Sequence, residues 1–272
     1  MSEKLLQHLP ALCNTVRRIA VEAGHATLEY FDEAGFSGAQ TKGDGSPVTV
    51  ADRAAEAIIE KALRELMPGI PLIAEEAAAD GRLPDLKGCE YFWLADPLDG
   101  TKEFITGSGD YTVNIALIRS GEPIVGVVYA PVAGELYAGC GPGTAIRWLE
   151  KTGKEKNIHV RTTPAEGLTV AASRNHGDQQ RLDSFLGNYK VARLIKRGSS
   201  LKICAVAAGK ADIYPRFGPT SEWDTAAGDA VLRSAGGVMT DMTGAKLAYG
   251  RQEEKFLNPE FIAAGVDFPL YL

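Results

Sequence analysis

The chain has few of the residues from which disulfide frameworks and thiolate metal sites are built. Its 272 residues include four cysteines and four histidines. The cysteines are scattered, with no CxxC pair and no Cys/His ligand spacing: Cys13, Cys89, Cys140 and Cys204. This pattern argues against a zinc finger and against a disulfide-stapled secreted fold. We expect reduced, mostly buried thiols, as in a cytoplasmic protein.

The sequence also lacks long apolar runs and an excess of positive charge. No run approaches the roughly 18 apolar residues that a membrane-spanning helix needs, and residues 1–4 lead into an amphipathic stretch rather than an apolar signal core. The net charge of -6 argues against a general nucleic-acid binder. It does not exclude an anionic substrate, because bound cations can reverse the local field. Attachment at the inner face of the cell membrane and the oligomeric state both stay open.

Patterning divides the chain into two halves. In residues 1–162, helical periodicity at 4–31 and 53–67 precedes a run of short strands, which predicts an α+β half with a largely antiparallel sheet. In residues 163–272, strands and helices alternate, which predicts an α/β half with a parallel or mixed sheet. We expect the two halves to pack as one compact unit.

One acidic motif is the strongest functional signal. Residues 95–105 read ADPLDGTKEFI and follow the apolar run 91–95. Because a residue before proline is extended, the strand should end at Asp96, and strand ends are where open α/β sheets bind ligands. A helix opening at Thr101 would offer free N–H groups to an anion, and Gly100 would allow close approach. Together with Asp96 and Asp99, these features suit Mg²⁺ and phosphate, although Asp-Pro and Asp-Gly are also common turn dipeptides.

Other residues have a structural and a functional interpretation from local pattern alone. Asp52 is placed either to cap the helix at 53–67 or to act in catalysis. The acids Glu75 and Glu76 end a short apolar strand at 71–76, where solvent or a cation would relieve their repulsion. Ser199 is placed to cap the following helix.

The order and spacing of three motifs resemble a known phosphatase superfamily. These are Glu75-Glu76, the stretch 96–101 and Trp223-Asp224 at the start of a helix. They are similar to the lithium-sensitive, Mg²⁺-dependent superfamily that includes inositol monophosphatase and fructose-bisphosphatase. The continuation Lys102-Glu103-Phe104 and the stretches 112–117, 198–202 and 214–219 resemble its CysQ-type 3'(2'),5'-bisphosphate nucleotidases. The resemblance implies a layered α-β-α-β-α sugar-phosphatase fold with two sheets.

The resemblance also implies roles for the acids. It assigns Glu75, Asp96 and the Leu98 carbonyl to one Mg²⁺, and Asp96, Asp99 and Asp224 to a second. Thr101 with Asp52 would position and deprotonate the attacking water. Glu76 would orient a water at a third, weaker cation site near Lys42 and Asp44.

Substrate contacts are implied in the same way. The residues expected around the substrate are Glu75, Asp99, Gly100, Thr101, Lys102, His176, Ser199, Lys202, Arg216 and Asp224. Lys202 and Arg216 would pair with a second phosphate, which a sugar monophosphate lacks. His176 has the alternative of a loop residue that is hydrogen-bonded locally.

The expected activity is hydrolysis of the 3'-phosphate of adenosine 3',5'-bisphosphate to AMP and phosphate. The related 3'-phosphoadenylyl sulfate would be a further substrate, and the reaction would clear a by-product of sulfate activation. One alternative is an inositol or sugar phosphatase on the same scaffold. A second, of another class, is a catalytically silent regulator that binds nucleotide or metal.

Overall fold

The computed structural model describes residues 2–41, 47–173, 179–266 and 268. Their helices are α1 (Ser2–Leu6), α2 (Leu9–Leu28), α3 (Val50–Leu66), α4 (Glu75–Ala79), α5 (Thr101–Ile105), α6 (Gln179–Leu186), α7 (Leu201–Ala207) and α8 (Glu222–Ser234). Their strands are β1 (Gln40–Thr41), β2 (Pro47–Val48), β3 (Leu72–Ala74), β4 (Tyr91–Asp99), β5 (Thr112–Arg119), β6 (Glu122–Ala130), β7 (Glu135–Gly139), β8 (Ile146–Leu149), β9 (Lys154–Asn157), β10 (Leu168–Ser173), β11 (Val191–Arg197), β12 (Ile213–Arg216), β13 (Gly237–Asp241) and β14 (Phe261–Gly265).

The first half builds a seven-stranded sheet whose spatial order follows the chain from β3 to β9. Its first pair, β3 and β4, is parallel, and each later pair is antiparallel. Short turns suffice for antiparallel neighbours. The prediction of a largely antiparallel sheet is therefore confirmed.

The second half builds a five-stranded sheet in the order β11-β10-β12-β14-β13. Strand β10 runs parallel to both of its neighbours, and β14 runs antiparallel to β12 and β13. The predicted mixed sheet is confirmed, but β14 is an addition, since no strand was predicted from the sequence there.

Side chains on the two faces of each sheet pack against different helices, which gives five layers. On β4, Trp93 and Ala95 face the core formed with α2 and α3, whereas Phe92 and Leu94 face the core that holds α7 and α8. Beyond the second sheet, Phe185 of α6 joins a smaller core. The order is helix, sheet, helix, sheet, helix, which confirms the predicted α-β-α-β-α fold. No described helix is long and apolar enough to cross a membrane.

The helix predicted at 4–31 is instead two helices. Pro10 has no N–H to donate to Leu6, so an unbroken helix cannot pass through it. His8 occupies the N-cap of α2, and its ring nitrogen Nδ1 accepts the Ala11 N–H at 3.2 Å. The last strand predicted in the first half is also wrong in position. It was expected to begin at Asn157, whereas β9 ends there.

Helix α8 packs directly against glycines of the first sheet. A Cβ on Gly126 would stand 2.3 Å from the Ala227 carbonyl oxygen and 2.6 Å from the Ala230 Cβ. These distances are too short for any side chain. Gly126 therefore sets how near α8, with its acidic first turn, can approach β4 and β5.

We expect Gly126→Ala to destabilise the protein by about 1–3 kcal/mol, because the added methyl group overpacks the contact with α8. Gly69→Ala is the matched control, since a Cβ there meets nothing within 4 Å. Urea unfolding of both variants measures the difference. Equal stabilities would contradict the close-packing argument.

Candidate active site

A cavity of about 660 Å³ opens between the two sheets and collects most of the residues predicted as functional. Four elements bring acids to it: the start of α4, the end of β4, helix α5 with Glu103, and the first turn of α8. The predicted site residues that line it are Glu75, Asp96, Leu98, Asp99, Gly100, Thr101, Lys102, Ser199, Lys202, Arg216 and Asp224.

A bulge at the end of β4 turns both aspartates of the motif toward this cavity. The strand was predicted to end at Asp96, but it continues through Pro97 to Asp99. Its register against β5 shifts between Asp96 and Asp99, so three steps along β4 match two along β5. In a regular strand, residues three apart face opposite sides. Pro97 is accommodated because a bulge does not need its missing N–H.

Main-chain N–H groups orient these two carboxylates. Asp96 is 1% exposed, and its Oδ1 accepts the Leu98 N–H at 2.9 Å. Oδ2 of Asp99 accepts the Ser200 N–H at 2.7 Å and the Asn114 amide at 3.3 Å. One oxygen of each carboxylate is thereby held by the backbone.

Two further aspartates are oriented as members of helix capping boxes. Asp52 is not the N-cap of α3, as one interpretation predicted, but the third residue of the helix, after the N-cap Thr49. Its Oδ2 accepts the Thr49 N–H at 2.8 Å, and Asp224 accepts the Ser221 N–H at 2.9 Å in the same way. The side chain of an N3 acid reaches back to the cap in this motif, so each helix start fixes the position of an acid.

Asp52 reaches the cavity through Thr101. The Thr101 hydroxyl lies 3.4 Å from Asp52 Oδ1 and 3.4 Å from the Leu98 carbonyl oxygen. Asp52 itself is buried and is not among the cavity-lining residues. The hydroxyl can donate to the carboxylate while its lone pairs remain exposed to a ligand.

Burial raises the pKa values of Asp96, Asp99 and Asp224, and repulsion from neighbouring carboxylates raises those of Asp96 and Asp224 further. The pKa of Asp96 is well above its usual range because of burial, and then because of the charges of Glu75, Asp99 and Asp224. Burial, with repulsion from Asp99 and Glu75, also raises the pKa of Asp224. Burial raises the pKa of Asp99, opposed by the attraction of Lys202.

The donor set fits a hard divalent cation. Every donor is oxygen, and a cation among the carboxylates would relieve the repulsion that raises their pKa values. Across the described ranges, no three Asp, Glu, His or Cys side chains are already gathered as in a closed metal site. The acids instead line a shared cavity, with room for ions that retain water and share ligands with phosphate.

The remaining predicted residues either do not line the cavity or fall outside the described part of the chain. Glu76 is buried at 4% exposed and is not among the described residues that line the cavity. The predicted strand 71–76 ends at Ala74, and Glu75 and Glu76 form the first turn of α4 instead. Lys42, Asp44 and His176, predicted near the third cation and the nucleotide, lie outside the described residues.

The second half contributes positive charge to the cavity. Lys202 is 4% exposed, and its Nζ donates to the Ser199 carbonyl at 2.5 Å and lies 5.5 Å from the Tyr214 ring centroid. Burial lowers its pKa to about 8, so it remains largely charged at neutral pH. Arg216 donates to the carbonyls of Gly218 at 3.2 Å and Pro219 at 3.0 Å, which fixes the loop after β12.

The sequence suggested that Ser199 caps α7, and this prediction is wrong. The residue at the N-cap is Ser200, which makes no side-chain capping bond, and Ser199 precedes it with φ of +45°. This is the left-handed region, which is uncommon for serine. Its hydroxyl has no hydrogen-bond partner within the described residues, and the residue lines the cavity.

Three buried polar residues near the acids were missed. Glu56 accepts the Glu76 N–H at 2.8 Å, so it caps α4 from a neighbouring helix. Glu56 lies one helical turn after Asp52, and this spacing on the same helix face could have indicated that the two acids lie close together. Asn114, within an apolar strand, was another visible signal. Ser200 carried no signal of its own.

Comparison with known proteins gives a consistent family. The sequence model described as Inositol monophosphatase family matches residues 11–265. The 3'(2'),5'-bisphosphate nucleotidase CysQ of Escherichia coli (strain K12) is 44% identical over 250 residues, covering 92% of this chain and 98% of that protein. The Haemophilus influenzae protein of the same name is 32% identical, covering 93% of each chain.

Comparison with solved structures points to the same family. A crystal structure of CysQ from Bacteroides thetaiotaomicron, described as a bacterial member of the inositol monophosphatase family, superposes with a TM-score of 0.79 at 33% identity, covering 95% of this chain and 98% of that one. An inositol monophosphatase from Zymomonas mobilis gives 0.74 at 25% identity, covering 95% and 94%. The chain belongs to the inositol monophosphatase family.

We expect Asp96→Asn to stabilise the protein in EDTA at pH 8, by roughly 2–4 °C in Tm, the shift that about 1 kcal/mol produces in a chain near this size. The folded pKa of Asp96 lies above the unfolded one, so the folded state binds more protons and loses stability as pH rises through that window. Asparagine removes the buried charge and keeps an acceptor for the Leu98 N–H.

The increase in Tm of Asp96→Asn over the wild type should shrink toward zero as the pH falls to the unfolded pKa of aspartate, about 4. Calorimetric scans of both proteins from pH 8 down to pH 5 measure this trend. A variant that is less stable than the wild type at pH 8 would contradict the assigned repulsion.

Proposed function

From its membership of the inositol monophosphatase family, we propose that this chain is a metal-dependent phosphatase. It hydrolyses the 3'-phosphate of adenosine 3',5'-bisphosphate to AMP and phosphate. 3'-Phosphoadenylyl sulfate is the further substrate, and the reaction belongs to sulfur assimilation. The observation that carries the proposal is the cavity itself, which is lined by five carboxylates from four elements together with Lys202 and Arg216. The 44% identity to proteins named bisphosphate nucleotidase supports the choice of substrate.

The acids are proposed to hold two Mg²⁺ ions. One would be held by Glu75, Asp96 and the Leu98 carbonyl, and the other by Asp96, Asp99 and Asp224. When bound, the two ions supply Lewis acidity to the entering and leaving oxygens of phosphate-ester hydrolysis. A third, weaker site near Lys42 and Asp44, with Glu76 orienting a water, remains part of the proposal.

Asp52 and Thr101 are proposed to form the base. The Thr101 hydroxyl donates to Asp52 Oδ1, so it can accept a proton from the attacking water while its own proton passes to the Asp52 carboxylate. Asp52 keeps its position through the Thr49 N–H on its other oxygen. The backbone N–H groups of Gly100 and Thr101 face the phosphate, and Gly100, with φ of +102°, adopts a conformation that favours glycine.

Substrate choice is proposed to lie in the second half. Lys202 and Arg216 bring positive charge to the cavity, where they would pair with the 5'-phosphate. Lys102 is exposed and lines the cavity, so it can reach a phosphate without a burial cost. Ser199 offers a hydroxyl there, and His176 is the proposed nucleotide contact outside the described residues.

An inositol or sugar monophosphatase is the second candidate function. Its support is the structural likeness to the Zymomonas mobilis inositol monophosphatase, which extends over 95% of the chain. The two candidates share the acids and differ in the partner of Lys202, because only the bisphosphate nucleotide carries a second phosphate for it to bind.

A substrate panel tests the proposal. With Mg²⁺, we expect kcat/KM for adenosine 3',5'-bisphosphate to exceed that for inositol 1-phosphate by at least 100-fold, the discrimination of roughly one charge-assisted contact. EDTA should abolish turnover, and Asp96→Asn should remove nearly all of it. Faster release of phosphate from inositol 1-phosphate would favour the second candidate, and full turnover in EDTA would exclude metal dependence.

Replacement of Lys202 by Met should raise KM for adenosine 3',5'-bisphosphate by about 10–100-fold, since a hydrogen bond to a charged group is worth about 1.5–3 kcal/mol. The effect on 3'-AMP, which lacks the 5'-phosphate, should be smaller. The difference from wild type should shrink above pH 8, where Lys202, with a pKa of about 8, loses its charge.

Lys210→Met is the matched control, because Lys210 follows α7 at its other end and does not line the cavity. Initial rates with both substrates between pH 6.5 and 9.5 give the comparison. An equal KM increase for the two substrates would show that Lys202 does not recognise the second phosphate.

A further inference from the structure

Asn114 and Ser200 form a buried link between the two halves of the chain. Asn114 lies on β5 and Ser200 directly precedes α7, and they are 0% and 3% exposed. The Asn114 side-chain amide donates to Ser200 Oγ at 3.0 Å and to Asp99 Oδ2 at 3.3 Å. Asn114 is also the register partner of Asp96 across β4 and β5.

Both residues act on the same oxygen of Asp99. The Ser200 main-chain N–H donates to Oδ2 at 2.7 Å, beside the Asn114 amide. Two donors converging on one oxygen define the plane of a carboxylate and offset part of the cost of its burial. The orientation of Asp99 therefore depends on a strand of one half and a helix start of the other.

The link extends to the helix that carries Asp224. The Ser200 hydroxyl donates to the Asp224 main-chain oxygen at 2.5 Å. At the opposite end, the Thr112 hydroxyl donates to Asn114 Oδ1 at 2.9 Å, which fixes the amide group with its NH₂ toward Ser200 and Asp99. A continuous path of hydrogen bonds thus joins β5, the start of α7 and the first turn of α8.

We propose that Asn114 and Ser200 are positioning residues for the cation site. They hold Asp99 and the first turn of α8 so that Asp99 and Asp224 can share one divalent cation. The inference rests on the proposed function, in which these two acids bind Mg²⁺. Neither Asn114 nor Ser200 is a ligand, because each directs its polar atoms at other protein groups.

The test uses Asn114→Ala, Ser200→Ala and the double variant, with Mg²⁺ binding read from the thermal shift without substrate. Asn114→Ala should raise the Mg²⁺ concentration for half-maximal shift by about 10–100-fold, the typical effect of residues that orient metal ligands. Ser200→Ala loses the hydroxyl bond to the Asp224 main-chain oxygen but keeps both donors to Asp99, so it should raise this concentration by only about fivefold. The double variant should match Asn114→Ala within about twofold, since the two act as a unit.

Ser234→Ala is the matched control. Ser234 is also 3% exposed and donates its hydroxyl to the Ala230 carbonyl at 2.7 Å, but at the other end of α8. It should lower Tm without changing the Mg²⁺ dependence. At saturating Mg²⁺, KM for adenosine 3',5'-bisphosphate should change less than threefold in Asn114→Ala, which separates cation positioning from damage to the substrate side.

A lowered Tm with wild-type Mg²⁺ dependence in Asn114→Ala would overturn the proposal and leave a structural role. If Asn114→Ala does not fold, Ser200→Ala decides the question by the same criterion. A wild-type protein that binds no Mg²⁺ would instead remove the proposed function, and the positioning role with it.

Discussion

The site depends on a shared way of holding carboxylates that repel one another. Asp52, Asp96, Asp99 and Asp224 each accept a main-chain N–H on one carboxylate oxygen. Such bonds favour the charged form of an acid, and they oppose the burial that raises the pKa values of the three cavity acids. Because one oxygen is fixed, the direction of the other is also set. The backbone, rather than a shell of basic side chains, therefore orients the acids.

This arrangement requires both sheets and the helical layer between them. The two-residue period of β4 points Phe92, Leu94 and Asp96 toward the inner layer, and the bulge adds Asp99 to the same side. Helix α8 can bring Asp224 near them because Gly126 leaves no side chain in its way. Close packing of a helix on a sheet is thus the condition for gathering acids from distant parts of the chain.

Local chemistry made much of this predictable from the sequence. The motif at 96–101, the helix after it and the mixed second sheet follow from proline, glycine and periodicity. Asp52 was considered as the N-cap of α3, but Thr49 is the N-cap and Asp52 is the third residue of the helix. The bulge through Pro97 was missed, because register depends on a partner strand that local pattern does not specify. Ser200 was not foreseen for a related reason, since its bonds reach Asp99 and Asn114, which are 101 and 86 positions away.

The two kinds of charge in the cavity arise from different parts of the fold. The carboxylates sit at strand and helix ends of both halves, whereas Lys202 is buried behind the left-handed Ser199. A buried cation and an uncommon backbone conformation three residues apart cost stability and persist where surrounding contacts enforce them, often at ligand sites. Ser200 lies between these features and the acids, bonded to Asp99 and two residues before Lys202. A displacement of the start of α7 would therefore disturb the orientation of Asp99 and the placement of Lys202 together.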